Sequence, residues 1–264
     1  VTSPFQPTPE SFDKLYRGEP TVEGGPTPNV IPWDVRQPQP RLMELEALGG
    51  ISGEVLDIGC GLGDNAIYLA SRGYSVTALD GSPTAIEEAR RRAERAGVLK
   101  SDAGSAGVEF EVADATKLTG YDGRFDTVVD SALYHCLDED GRDAYLAALH
   151  RATRPAARLH LACFSEGNVN GIIAPGTVSE DELRDKLPAN GWSIDFLGPT
   201  TYLANAVSFE GGDDAFREAM EQHMPPEAVE HMRDMAARYE AVSGLLDDGR
   251  VHLPFTVVHA HRVG

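Results

Sequence analysis

The feature that most restricts this chain is the passage Glu54-Val55-Leu56-Asp57-Ile58-Gly59-Cys60-Gly61-Leu62-Gly63-Asp64, an apolar run that breaks into three alternate glycines and then enters a helical pattern. Glycines so spaced let the backbone adopt dihedrals that a Cβ forbids and approach a ligand closely. A strand, a tight turn and a helix must follow one another here. The same alternation continues downstream. Strands are expected at 54–58, 75–79, 108–112, 125–129 and 158–163, and helices at about 64–72, 83–96 and 140–153. The second helix opens with Ser82 as N-cap and Pro83 at its first position. Right-handed crossovers then place these strands in one doubly wound α/β sheet, mostly parallel.

The ends of the chain depart from this rhythm. Nine of the 17 prolines lie in the first 40 residues. Each removes a donor and restricts its predecessor, so residues 1–45 read as an extended arm. Phe5, Phe12, Leu15, Tyr16, Ile31 and Trp33 punctuate it, and apolar groups of that size gain from docking, so the arm is expected to pack on the domain 46–264. After a sixth strand at 192–197, about fifty residues precede a last strand near 251–261, too many for a structureless loop. Phe216, Ala219, Met220 and His223, then Val229, Met232, Ala236 and Tyr239, recur at helical spacing, which predicts a helical insert at about 212–248. With Met235 it is a pliable apolar set suited to a lid over a flat substrate.

Composition excludes several partners. Of 264 residues, 23 are Lys or Arg and 42 Asp or Glu, a net charge of −19 that repels nucleic acids and anionic membranes. The cluster Arg90, Arg91, Arg92 and Arg95 is interleaved with Glu87, Glu88 and Glu94, which reads as a solvated helix face with local ion pairs. Cys60, Cys136 and Cys163 have neither disulfide nor zinc spacing, and the first residues lack a secretory pattern. The expectation is a cytoplasmic protein, monomer or homodimer, with a small-molecule partner.

Two ligands compete for the glycine turn. Gly61-Leu62-Gly63-Asp64-Asn65-Ala66 satisfies a dinucleotide fingerprint, with Asp80 near the distance of a ribose-gripping acid, so an NAD-dependent oxidoreductase is one reading. The register Asp57-x-Gly59-x-Gly61-x-Gly63 puts an acid where it would repel a pyrophosphate and welcome a cation. S-adenosylmethionine, with its ammonium and sulfonium, is such a cation.

That second register resembles the first motif of class I S-adenosylmethionine-dependent methyltransferases. Val76-Thr77-Ala78-Leu79-Asp80-Gly81-Ser82 resembles the family's second strand with its ribose-binding acid. Val112-Ala113-Asp114-Ala115 resembles the adenine-binding segment, and Phe125 to Ser131 the fourth strand, whose end, at Asp130, borders the methionine. The resemblance covers about residues 50–165. It implies a seven-stranded sheet with an antiparallel last strand, and a cofactor site of Asp57, Gly59, Gly61, Gly63, Asn65, Asp80, Gly81, Asp114, Ala115 and Asp130, without metal. Phe12-Asp13-Lys14-Leu15-Tyr16 and Pro32-Trp33-Asp34 resemble the arm of the small-molecule branch that contains thiopurine, thiol, halide and heterocyclic toxin methyltransferases, which implies that residues 1–45 pack over the cofactor site and adds Trp33 to the cofactor residues. Arg36 and Gln37 stand where that branch has a glycine followed by a basic residue.

The likeness implies methyl transfer to O, S or N of a small aromatic or heterocyclic compound, in detoxification or secondary metabolism. A non-catalytic module that binds the cofactor is a further alternative. Methyl transfer from a sulfonium is an in-line displacement governed by alignment. An ionisable acceptor is helped by a base, and His135, just beyond the fourth strand, is the candidate, with Tyr134 orienting the acceptor or filling a wall.

Overall fold

The computed structural model describes residues 8–20, 30–101, 105–164, 166, 177–205, 218, 221–222, 226–245 and 249–264. Seven strands form one sheet in the order β3-β2-β1-β4-β5-β7-β6. They are β1 (Glu54–Ile58), β2 (Ser75–Asp80), β3 (Gly107–Val112), β4 (Phe125–Ser131), β5 (Thr153–Phe164), β6 (Trp192–Asn205) and β7 (Arg250–Arg262). The pairs β1–β2, β1–β4, β2–β3 and β4–β5 are parallel, and β5–β7 is antiparallel, as expected.

The helices are α1 (Pro9–Tyr16), α2 (Pro40–Ala47), α3 (Asp64–Ser71), α4 (Pro83–Ala96), α5 (Glu139–Ala152), α6 (Glu180–Ala189) and α7 (Pro226–Val242). A 3-10 turn, Tyr134–Cys136, follows β4. Val55, Leu56, Val76, Ala78, Val108 and Val128 are wholly buried, as strands covered on both faces require. One core cluster packs Val55, Val76 and Val108 against Leu69 and Ile86 of α3 and α4. The other packs Leu56, Val128 and Leu159 against Leu146, Leu149 and Leu183 of α5 and α6. Arg92 ties α4 to Asp64 of α3 at 3.2 Å, and with Arg91 and Arg95 surrounds Glu88 at 3.2–3.3 Å. Arg91, Arg92 and Arg95 form a helix face of ion pairs, whereas Arg90 donates to the Phe110 carbonyl.

The chain divides into two compact units: residues 38–201 with 254–264, which hold most of the sheet, and residues 8–37 with 202–253. Within the second, the arm is not wholly extended. Thr8 accepts the Ser11 amide and Ser11 answers to the Thr8 amide, and Pro9 stands where its missing donor costs nothing, so α1 forms between prolines. Trp33 donates Nε1–H to Tyr16 Oη at 2.9 Å and meets Phe12 edge-on, with centroids 5.7 Å apart. Asn205, at the end of β6, donates Nδ2–H to the carbonyls of Ile31 and Asp34 at 3.0 and 2.7 Å and its amide to Pro32 at 2.7 Å. Arg250 donates to Gln37 Oε1 at 2.8 Å. The arm is therefore tied to the chain on both sides of the insert. Within α7, Val229 and Tyr239 are buried. Phe216, Ala219, Met220 and His223 lie outside the described residues, as do the side chains of Met232 and Met235. No described helix is long and apolar enough to cross a membrane.

Candidate cofactor and active site

The sheet order reverses between β1 and β4, and open α/β sheets bind ligands at the carboxyl ends of the strands at such a point. Four acids stand there. Asp114 follows β3, Asp80 ends β2, Asp57 lies next to last in β1, and Asp130 next to last in β4.

The glycine turn between β1 and α3 is held by β2, since the amides of Gly59 and Cys60 both donate to the Leu79 carbonyl at 2.8 and 3.0 Å. Gly59 and Gly63 have φ of +72° and +85°, and a Cβ there would meet Leu133 at 2.7 Å and Phe110 at 2.8 Å. These two glycines are demanded by the protein's own packing. Gly61, at φ +52°, donates its amide to Asp80 Oδ2 at 2.8 Å, while Asp80 Oδ1 accepts the Ser82 amide at 2.8 Å. Asp80 thus braces the turn, and a carboxylate with about four acceptor sites keeps capacity for ribose hydroxyls. Gly81 is exposed in the bend beside it.

Asp57 is the outlier. It is 1% exposed, and neither carboxylate oxygen has a hydrogen-bond partner. Burial, then the negative charges of Asp130 and Asp80, push its pKa up to about 7, opposed by the Ala66 amide in the first turn of α3. A buried carboxylate without donors is costly, and its orphaned oxygens suit an incoming ammonium or sulfonium better than a phosphate. Asp130 is as buried but well provided: Oδ2 accepts Tyr145 O–H at 2.7 Å, and Oδ1 accepts the amides of Leu133 and Tyr134 at 2.8 and 3.4 Å. Ala132, at φ +83°, turns the chain so that these amides face back on it. Burial nonetheless raises its pKa to about 7.

The other expected residues are placed as follows. Asp114 is exposed, with Oδ1 accepting from the amide and hydroxyl of Thr116 at 2.9 and 2.6 Å and Oδ2 paired with Lys117 at 2.8 Å. Burial raises and these partners lower its pKa, with a net fall. Ala115 packs against the core. Asn65 Oδ1 accepts the Gln39 amide at 2.9 Å, which ties α3 to the start of α2. Trp33, as described, spends its indole N–H on Tyr16 within the arm.

Tyr134 and His135 follow β4 in the 3-10 turn. Tyr134 is wholly buried, its ring 6.1 Å from that of Tyr145 and under the Arg142 guanidinium at 5.4 Å, so it packs as a core group. His135 sits against Phe164 and Phe255 with centroids 4.8 and 5.8 Å away, and its Nδ1 accepts the Phe164 amide at 3.4 Å. The neutral ring therefore carries its proton on Nε2. Burial, then the Arg142 charge, lowers its pKa to about 3, so His135 is a weak base and an N–H donor near neutral pH. The local sequence around His135 carried no sign of this, because Phe164 lies a whole β-α-β unit away.

Comparison with known proteins identifies the family. The methyltransferase domain family matches residues 55–156. The 2-heptyl-1-hydroxyquinolin-4(1H)-one methyltransferase of Mycobacteroides abscessus is 37% identical over 215 residues, which are 81% of this chain and 90% of that protein. A solved structure concerned with conversion of a disulfide bond into a thioacetal group during echinomycin biosynthesis is 32% identical, with a TM-score of 0.69, covering 96% of this chain and 92% of the other. The fold is shared with 1,6-didemethyltoxoflavin-N1-methyltransferase of Burkholderia thailandensis, solved with S-adenosylhomocysteine, at 22% identity, a TM-score of 0.51 and coverage of 85% and 77%.

Proposed function

From the premise that this chain belongs to the class I S-adenosylmethionine-dependent methyltransferases and acts on small molecules, we propose that its acceptor is a hydroxyl oxygen on a planar heterocycle, methylated as the anion. When bound, the cofactor supplies an electrophilic methyl on a positive sulfur. The chain's residues have the remaining tasks. Asp80 holds the ribose, Asp114 with the Ala115 amide holds adenine, and Asp57 offers its unsatisfied oxygens to the cationic part. His135, flanked by Phe164 and Phe255, donates Nε2–H to the acceptor oxygen, which favours the anion by hydrogen bonding rather than by taking its proton. An acceptor with a low pKa of its own needs no stronger base.

The orphaned Asp57 carboxylate supports the cofactor assignment, and the aromatic cluster around a neutral His135 supports a flat, acidic acceptor. The hydroxyquinolone named for the Mycobacteroides relative has both properties. A sulfur acceptor is the second reading, favoured by the likeness to the echinomycin protein. Labelled S-adenosylmethionine with a panel of N-hydroxyquinolones, phenols, thiols and ring nitrogens, read by mass shift and fragmentation, separates them. Label on thiols alone would overturn the oxygen assignment.

A further inference from the structure

We propose that Leu133 is a positioning residue that sets the distance between methyl donor and acceptor, its side chain resting on the glycine turn and its backbone opening the turn that carries His135. The inference rests on the functional reading above, in which the glycine turn carries the cofactor and His135 faces the acceptor, and adds the residue that spaces the two.

The side chain makes the first half of the link. A Cβ on Gly59 would lie 2.7, 3.0 and 3.1 Å from Cβ, Cδ2 and Cγ of Leu133, so the leucine occupies the space that the bare Gly59 Cα leaves open. Gly59 is itself fixed, since its amide donates to the Leu79 carbonyl of β2 at 2.8 Å. Leu133 is half-buried and also packs against the core cluster on the α5 and α6 side of the sheet.

The backbone makes the second half. The Leu133 amide donates to Asp130 Oδ1 at 2.8 Å, and its carbonyl accepts the Cys136 amide at 2.8 Å across the 3-10 turn Tyr134–Cys136. Ala132 precedes it at φ +83°, a left-handed conformation that a residue with a Cβ keeps only where its neighbours over-determine it. They do so here. The Ala132 amide donates to the Ala162 carbonyl at 3.0 Å, and its carbonyl accepts Cys136 Sγ–H at 3.5 Å. Beyond Leu133, Tyr134 is anchored in the core and the Phe164 amide holds His135 Nδ1 at 3.4 Å. A displacement at Gly59 is therefore passed through Leu133 to His135, because packed groups held at both ends transmit it.

The reaction makes this spacing matter. The acceptor atom forms a bond to the methyl carbon as the carbon–sulfur bond breaks, and that electron pair stays on sulfur, which becomes a neutral thioether. In-line displacement needs the reacting atoms about 3–3.5 Å apart, and a misplacement of about 1 Å costs about a hundredfold in rate. Truncating Leu133 removes Cγ and both Cδ from the contact with Gly59 and leaves every polar group of the site in place.

The test is single-turnover methyl transfer by the full chain. It uses saturating S-adenosylmethionine and whichever of the N-hydroxyquinolone, phenol, thiol and ring-nitrogen probes the unaltered protein methylates fastest. Leu133→Ala should slow the transfer step about ten- to a hundredfold, while the cofactor Kd and the acceptor KM move by less than about threefold. Leu133→Met, which keeps the reach of the side chain, should recover most of the rate. Should Leu133→Ala fail to fold, Leu133→Val carries the test, with a smaller loss of the same kind. An unchanged rate in the truncated variant, a rate restored by more of either ligand, or a Leu133→Met variant as slow as the truncated one overturns the spacing role and leaves the functional reading intact. Absence of cofactor binding, or of transfer to every probe, in the unaltered protein overturns both.

Discussion

Tyr145 donates its hydroxyl to Asp130 Oδ2 across 2.7 Å, and so joins the middle of α5 to the carboxyl end of β4 through a wholly buried hydrogen bond. The contact lowers the Asp130 pKa against the burial that raises it. Tyr145→Phe should destabilise the protein by about 1.5–3 kcal/mol at pH ~8, where Asp130 is ionised, and by less at pH ~6, where it is protonated. Urea denaturation at the two pH values checks this; equal losses would show that the hydroxyl acts by packing alone.

The pH dependence of stability carries opposing contributions. Asp57 is raised from 3.8 to about 7, so its share is present below its unfolded pKa and lost as pH climbs through the folded one. His135 and His160 are lowered from 6.5 to about 3 and about 4, so their share is present above 6.5 and lost as pH falls through the folded values. His160 meets His259 across β5 and β7, Nδ1 to Nδ1 at 2.8 Å, and reaches the Gly50 carbonyl at 3.0 Å. Asp57→Asn should therefore gain stability relative to the unaltered protein between pH ~4 and ~7, by at most a few kcal/mol. Denaturant midpoints of the ligand-free proteins at pH 5 and pH 8 test the sign, and no change in their difference would refute it.

For His135, the kcat/KM profile should follow the acceptor. With two hydroxylated heterocycles of different pKa, the midpoint is expected to move with the compound, and no inflection should belong to the histidine between pH ~5 and ~8. His135→Gln, which retains a donor, should keep more kcat than His135→Phe. A midpoint fixed for both acceptors and lost in His135→Ala would restore the histidine as a base.

Asp80 braces the glycine turn through Gly61 and Ser82, and in the proposed function it also holds the ribose. Asp80→Ala should weaken S-adenosylmethionine at least tenfold, in line with charge-assisted hydrogen bonds of about 1.5–3 kcal/mol each. Unchanged affinity by calorimetry would remove it from the cofactor site.

Much of this was legible from sequence where the signal is local. The strand from Glu54 to Ile58 and the helix from Pro83 to Ala96 appear as expected, because apolar periodicity and the Ser82-Pro83 start are written in adjacent residues. The helix Pro9–Tyr16 was hidden because proline density argued against it, although Thr8 and Ser11 cap it and no proline interrupts residues 10–16. Helix α6 was missed as well. The four acids read by motif lie at the strand ends, but their chemistry and that of His135 depend on distant partners: Phe164 sets the His135 tautomer, and Tyr145 distinguishes Asp130 from Asp57. The side on which Tyr134 falls is decided by the 3-10 turn, which has no periodic signature.

Asn205 joins two pieces of chain that the sequence keeps 171 residues apart, from the Asp34 carbonyl to its own amide. Diversification of this second unit is thereby constrained to be paired. A chimaera that imports residues 8–37 from a relative must return its carbonyls to Asn205, which exchanging 202–253 along with them ensures, so the two segments should be inherited as one cassette.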